Sequence, residues 1–116
     1  MKKEKDPVIF LRHILESIER IEININRVVK NEFVKNVNLQ DIIVRRLEII
    51  GEAVRNIPDN FREQNKKIPW RNIAGMRDRL IHQYFDVDIE LVWEIINRDI
   101  PKFKKQIIKL LEKLDK

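Results

Sequence analysis

Apolar residues recur at spacings of three and four along most of the chain, the period of a helix with one buried face. Leu11, Ile14, Ile18, Ile21, Ile25 and Val28 form such a stripe, predicting a long helix over residues 7–30. Pro7 suits its first turn, where a missing N–H costs nothing. Residues 31–38 hold three Asn and read as a loop or a frayed join. A second stripe of Leu39, Ile43, Leu47, Ile50, Val54 and Ile57 predicts a helix over 39–57, ended by Pro58. Gly51 inside it costs roughly 1 kcal/mol against Ala. Close approach of another helix would explain it, because Gly has no Cβ to hold a neighbour off.

Residues 58–69 are polar and bracketed by prolines, with room for one helical turn around Asp59 to Gln64. Pro69-Trp70 opens a third helix carrying Ile73, Ala74, Leu80 and Ile81. Asp86-Val87-Asp88 is a polar break, and Asp88 can cap the next helix by accepting from its free N–H groups. That helix carries Ile89, Val92, Trp93 and Ile96. Pro101 is expected to kink or split it before Phe103, Ile107, Leu110, Leu111 and Leu114 complete the last segment. No strand stands out. The expected fold is all-α, an antiparallel bundle of about four or five helices forming a single domain over 1–116. So thin a bundle hides residual apolar surface by pairing with a copy of itself, so a homodimer is expected.

Composition narrows the chemistry. Cysteine is absent, which excludes disulfides, thiolate metal sites and a Cys nucleophile. No apolar run is long enough to span a membrane. The charged N-terminus leads into no secretory core, so a cytoplasmic protein is expected. Ser17 is the only serine and has no base beside it. The glycines are too far apart for a phosphate loop, and no histidine pair stands at metal-ligand spacing. No cofactor is expected. The net charge is +5, a moderate lean toward a polyanionic partner. Much of it lies in residues 98–116, where Arg98, Lys102, Lys104, Lys105, Lys109, Lys113 and Lys116 face three acids. A solvated helix face would explain these cations, and so would a nucleic-acid surface.

Of the two histidines, His13 reads as structural, on or near the surface of the first helix. His82 sits in a polar cluster with Arg77, Asp78, Arg79 and Tyr84. An imidazole exchanges protons near neutral pH, and a guanidinium grips two phosphate oxygens. Together they suit metal-free cleavage of RNA by its own 2′-hydroxyl. One straight helix would set Arg77 and His82 about 140° apart, too far to converge. Long side chains, a helix ending near His82, or a dimer would close the gap. The competing reading is a helix-capping His82 partnered by Asp78.

Arg77-x4-His82-x-Tyr84 resembles the R-x4-H-x-Y signature of HEPN proteins, and more narrowly of the HepT group. The resemblance extends to Arg46-Leu47-Glu48-Ile49-Ile50-Gly51-Glu52-Ala53, to the run from Pro69 through Asp78, and to Asp86-Val87-Asp88 followed by Val92-Trp93. It implies a homodimer with a composite cleft where both signatures meet, cutting RNA without a metal. His82 would be the general base or acid. Arg77 would position the phosphate and stabilise the transition state. Asp78, where the family often has Asn, would orient the cluster, and Glu52 would help hold Arg77. Tyr84 matches a tyrosine that a partner MNT-type nucleotidyltransferase modifies with AMP, which would block RNA with bulk and negative charge. Otherwise Tyr84 is a packed aromatic. The resemblance thus implies the toxin of a toxin–antitoxin pair. The alternatives are a non-catalytic substrate-binding or regulatory subunit of a nucleotidyltransferase and a simple nucleic-acid binder using Lys102 to Lys113.

Overall fold

The computed structural model describes residues 6–83 and 86–114, apart from the side chains of His82 and Gln83. Tyr84 therefore lies outside the described residues. Helix α1 (Pro7–Ile25) starts under an Asp6 cap, whose carboxylate accepts from the Val8 N–H at 3.0 Å. It ends before the expected residue 30 because the chain reverses at Arg27, which has φ 63°. Asn26, at ψ 122°, has already left the helix, and the turn closes with the Val28 N–H donating to the Ile25 carbonyl at 2.9 Å, which satisfies one of the end carbonyls.

The segment expected as a loop instead forms a short helix, α2 (Lys30–Lys35). Phe33 anchors it, fully buried with its ring 5.2 Å from that of Trp93. Gln40 Nε2 donates to the Phe33 carbonyl at 2.9 Å and ties α2 to the next helix. Helix α3 (Val37–Asn56) is capped by Asn36, which accepts from the Leu39 N–H. Its stripe packs along α1, with Ile14, Ile18 and Ile21 facing Ile43, Leu47 and Ile50 in one apolar core. Helix α4 (Asp59–Gln64) is the single turn expected between the prolines.

The third expected helix is broken. Helix α5 (Trp70–Ala74) and helix α6 (Met76–Leu80) meet at Gly75, and α6 stops at Leu80. Strand β1 (Ile81–Gln83) follows and pairs antiparallel with β2 (Asp86–Val87), Ile81 opposite Val87 and Gln83 opposite Asp86. The expectation of no strand is thereby corrected. β-branched and aromatic residues crowd residues 81–87, and they favour a pleated backbone over a helix. The Asp88 N–H donates to the Leu80 carbonyl at 2.9 Å, closing the end of α6 onto the returning chain.

Asp88 caps α7 (Ile89–Glu94) by accepting from the Leu91 N–H at 3.1 Å, as its sequence position predicts. The helix then continues without a break through a π-helical turn, Ile95–Asp99, into α8 (Ile100–Leu114). Pro101 does not split it. Proline lacks the N–H that would serve the Asn97 carbonyl, and its ring crowds that carbonyl. The wider turn just upstream absorbs both effects. Helix α8 packs Phe103, Ile107 and Leu110 against α1, and Trp70 meets Phe103 edge-on at 6.1 Å. The result is an all-α bundle with one small antiparallel strand pair. Among the described residues no helix is long and apolar enough to cross a membrane.

Gly51 lies where α5 crosses α3. A Cβ there would come within 3.3 Å of the Ile73 carbonyl oxygen, a backbone atom that cannot swing aside. Gly51→Leu should therefore force α5 and α6 off α3, at a cost of about 1–3 kcal/mol. Thermal unfolding checks this, and a variant as stable as wild type would show the crossing to be looser than drawn.

Candidate active site

The crossing at Gly51 places α6 against the middle of α3. Arg77, in the second position of α6, reaches back to Glu48 one turn below Gly51. Arg77 Nε donates to Glu48 Oε2 at 2.9 Å. The Glu48 side chain is 29% exposed and that of Arg77 53%, so the pair sits at the surface, with the carboxylate the more sheltered partner. Exposed ion pairs contribute little to stability, commonly about 0.2–1 kcal/mol. The geometry has more consequence for orientation. With Nε engaged, the guanidinium plane is held and its two terminal amino groups remain as donors.

The pair stands between two open grooves. One, about 780 Å³, runs between α1 and α3 and is bordered by His13, Arg45, Glu52 and Arg55 as well as by Glu48 and Arg77. The other, about 500 Å³, is bordered by Val37, Val44, Ile81 and Ile89 beside the same pair. One flank of Arg77 is thus charged and the other largely apolar.

Glu52 does not meet Arg77 here. It faces Arg55 at 3.8 Å, and Glu48, one turn earlier on the same helix face, is the acid that holds Arg77. Asp78 is exposed on α6. His82 falls in β1, so neither a helical i, i+4 pairing with Asp78 nor the straight-helix angle from Arg77 applies to it. The side chain of His82 and all of Tyr84 fall outside the described residues. His13, read from sequence as structural, is exposed and borders the charged groove, with Phe10 edge-on at 6.5 Å. Its signal was available: His13, Glu16 and Ser17 share one face of α1 at helical spacing, and all three border that groove.

An all-α bundle with this order of helices is of the HEPN type. Within that superfamily the chain belongs to the HepT-like ribonucleases, whose family model, "Ribonuclease HepT-like", matches residues 14–110. Among similar proteins, one from Methanocaldococcus jannaschii named "Gamma-glutamylcyclotransferase and putative RNase" is 51% identical over 112 residues. That match covers 97% of this chain and 50% of the relative, so the chain spans about half of that longer protein. A "Putative RNase" of Caldanaerobacter subterraneus subsp. tengcongensis is 46% identical, with 94% of this chain and 97% of the relative covered. A "Probable ribonuclease HepT" of Thermococcus cleftensis is 43% identical over 87% of this chain and 92% of its own length. No solved structure matches the chain.

Proposed function

We propose that this chain is the toxin of a toxin–antitoxin pair, a single-domain endoribonuclease that cuts RNA without a metal ion. One observation carries the reading: Arg77 is clamped through Nε by Glu48 at the edge of an open, charged groove, with its remaining donors left for a phosphate. The end of α6 at Leu80 supports it further, because His82 is released from the helix that would have turned it away from Arg77.

In the proposed reaction His82 takes the proton from a ribose 2′-hydroxyl. The 2′-oxygen attacks the adjacent phosphorus, and the P–O5′ bond breaks. The leaving 5′-oxygen takes a proton from water, protonated His82 gives its own to the hydroxide left behind, and the RNA ends in a 2′,3′-cyclic phosphate. Arg77 stabilises the negative charge that builds on the phosphoryl oxygens, where a fixed donor counts most. Glu48 is a positioning residue that acts through Arg77. Glu52 adds polar support at the groove's border, and Asp78 adds a carboxylate next to Arg77 on α6.

The chain would work as a homodimer, and the apolar border formed by Val37, Val44, Ile81 and Ile89 supports that reading as surface a second copy would cover. A cognate MNT-type nucleotidyltransferase would silence the enzyme by placing AMP on Tyr84, whose added bulk and negative charge would oppose RNA.

Arg77→Ala should lower RNA cleavage in EDTA by about 10²–10³-fold, the cost of removing one transition-state donor. The same variant, expressed without the nucleotidyltransferase, should lose the growth arrest that wild type causes. If Arg77→Ala cut RNA as fast as wild type, the site would lie elsewhere.

A further inference from the structure

Helix α6 has a second side. Arg79 stands two positions beyond Arg77, about 200° around the helix axis. It borders a separate cavity of about 360 Å³ between α6 and the start of α8. Lys67 and Lys102 border the same cavity, and none of these three cations has an ion-pair partner among the described residues. The one acid there, Asp99, already accepts from Arg98 at 3.2 Å. Three unpaired cations around one space repel each other and attract an anion.

Two further features mark this cavity. The π-helical turn Ile95–Asp99 that accommodates Pro101 also lies against it, with Ile95 and Asp99 at the two ends of the turn both on its border. Gln106 also borders it, and its Oε1 is buried without a hydrogen-bond partner among the described residues. A buried acceptor left unpaired is unfavourable, so the Gln106 amide gains by turning toward the cavity, where a ligand N–H or O–H would satisfy it. Asn72 adds a second amide at the rim, over a floor that includes buried Met76 and Phe103.

We infer that this cavity binds a nucleoside phosphate: a residue of the RNA strand away from the scissile bond. Lys67, Arg79 and Lys102 take the phosphate. The amides of Asn72 and Gln106 take a ribose hydroxyl or the base edge, the kind of polar contact by which proteins read single-stranded RNA. A volume of this size is in the range of small-molecule sites. Helix α6 then serves both sites, with Arg77 at the reacting phosphate on one side and Arg79 at a holding phosphate on the other. Only the source of the nucleotide, an RNA strand, rests on the ribonuclease reading.

The test uses the full chain carrying His82→Ala, so that RNA stays intact, and two probes: a single-stranded RNA dodecamer followed by fluorescence anisotropy, and 5′-UMP followed by calorimetry. Two variants are made in that background, the combined Lys67→Gln/Arg79→Gln/Lys102→Gln and the single Gln106→Leu. The triple variant should bind the dodecamer at least about tenfold more weakly, and its salt slope should fall by about 0.7 for each cation removed. Gln106→Leu should weaken RNA binding by about fivefold with an unchanged or raised Tm, because leucine removes an unpaired acceptor without unpairing another group. Loss of 5′-UMP binding in both variants with RNA binding intact would keep the site and make its ligand a free nucleotide. Unchanged affinity for both probes would overturn the site. So would a weakened triple variant beside a Gln106→Leu that binds both probes normally, since that pattern is diffuse surface charge. Wild type that binds RNA through this cavity yet cuts none would overturn the ribonuclease reading and leave the site standing.

Discussion

His82→Ala should reduce RNA cleavage by roughly 10²–10⁴-fold, the range for losing a general acid–base group. The fold should survive the change. Strand β1 is held by backbone pairing of Ile81 with Val87, and α6 is closed by the Asp88 N–H on the Leu80 carbonyl, neither of which needs an imidazole. Tm should therefore stay within a few degrees of wild type while activity collapses. His13 supplies the control. It is the other histidine of the chain, and it borders the groove that Arg77 borders. His13→Ala should retain most of the activity. If His13→Ala abolished cleavage and His82→Ala did not, the proton carrier would be on α1 and the mechanism would need rebuilding around it.

Phe33→Ala should have the largest effect on stability, about 3–5 kcal/mol, the usual cost of emptying a buried phenylalanine site. In a domain of this length that lowers Tm by on the order of 10–20 °C. Phe33 is fully buried, and α2 has no other buried side chain. Without it, α2 keeps the Gln40 amide on the residue-33 carbonyl but loses its packing on Trp93. The loss should spread to α7, which α2 contacts directly. Calorimetry checks the prediction. A drop of only a degree or two would mean that α2 is an ornament on the bundle and not part of its core.

What could be read from the sequence, and what could not, divides along local and distant interactions. The α1 and α3 stripes, the turn at Asp59–Gln64, the Asp88 cap and the close approach at Gly51 were all readable, because each depends on residues a few positions apart or on a local steric need. Helix α2 was not. Its six residues carry only Phe33 and Val34 as apolar positions, too few to show a period, and what holds it is Trp93, far along the chain. The β1–β2 pair and the break at Gly75 also depend on where the chain returns, which periodicity does not encode. At the site, residue types were readable and pairings were not. Glu48 and Glu52 lie one turn apart on the same helix, and only the angle at which α5 and α6 cross α3 selects Glu48 for Arg77. Pro101 reads as a helix breaker, yet its effect appears upstream as a π turn, because the clash falls on the carbonyl four residues before it.

The central claim is that this bundle cuts RNA by using the substrate's own 2′-hydroxyl, with Arg77 and His82 as the working groups. The most direct test is to identify the chemical ends left by wild-type protein acting in EDTA on a labelled RNA, after its intact mass has shown Tyr84 to be free of AMP. The account predicts a 2′,3′-cyclic phosphate on one fragment and a 5′-hydroxyl on the other. Fragments ending in 3′-hydroxyl and 5′-phosphate, or no cleavage across a range of RNAs, would contradict it.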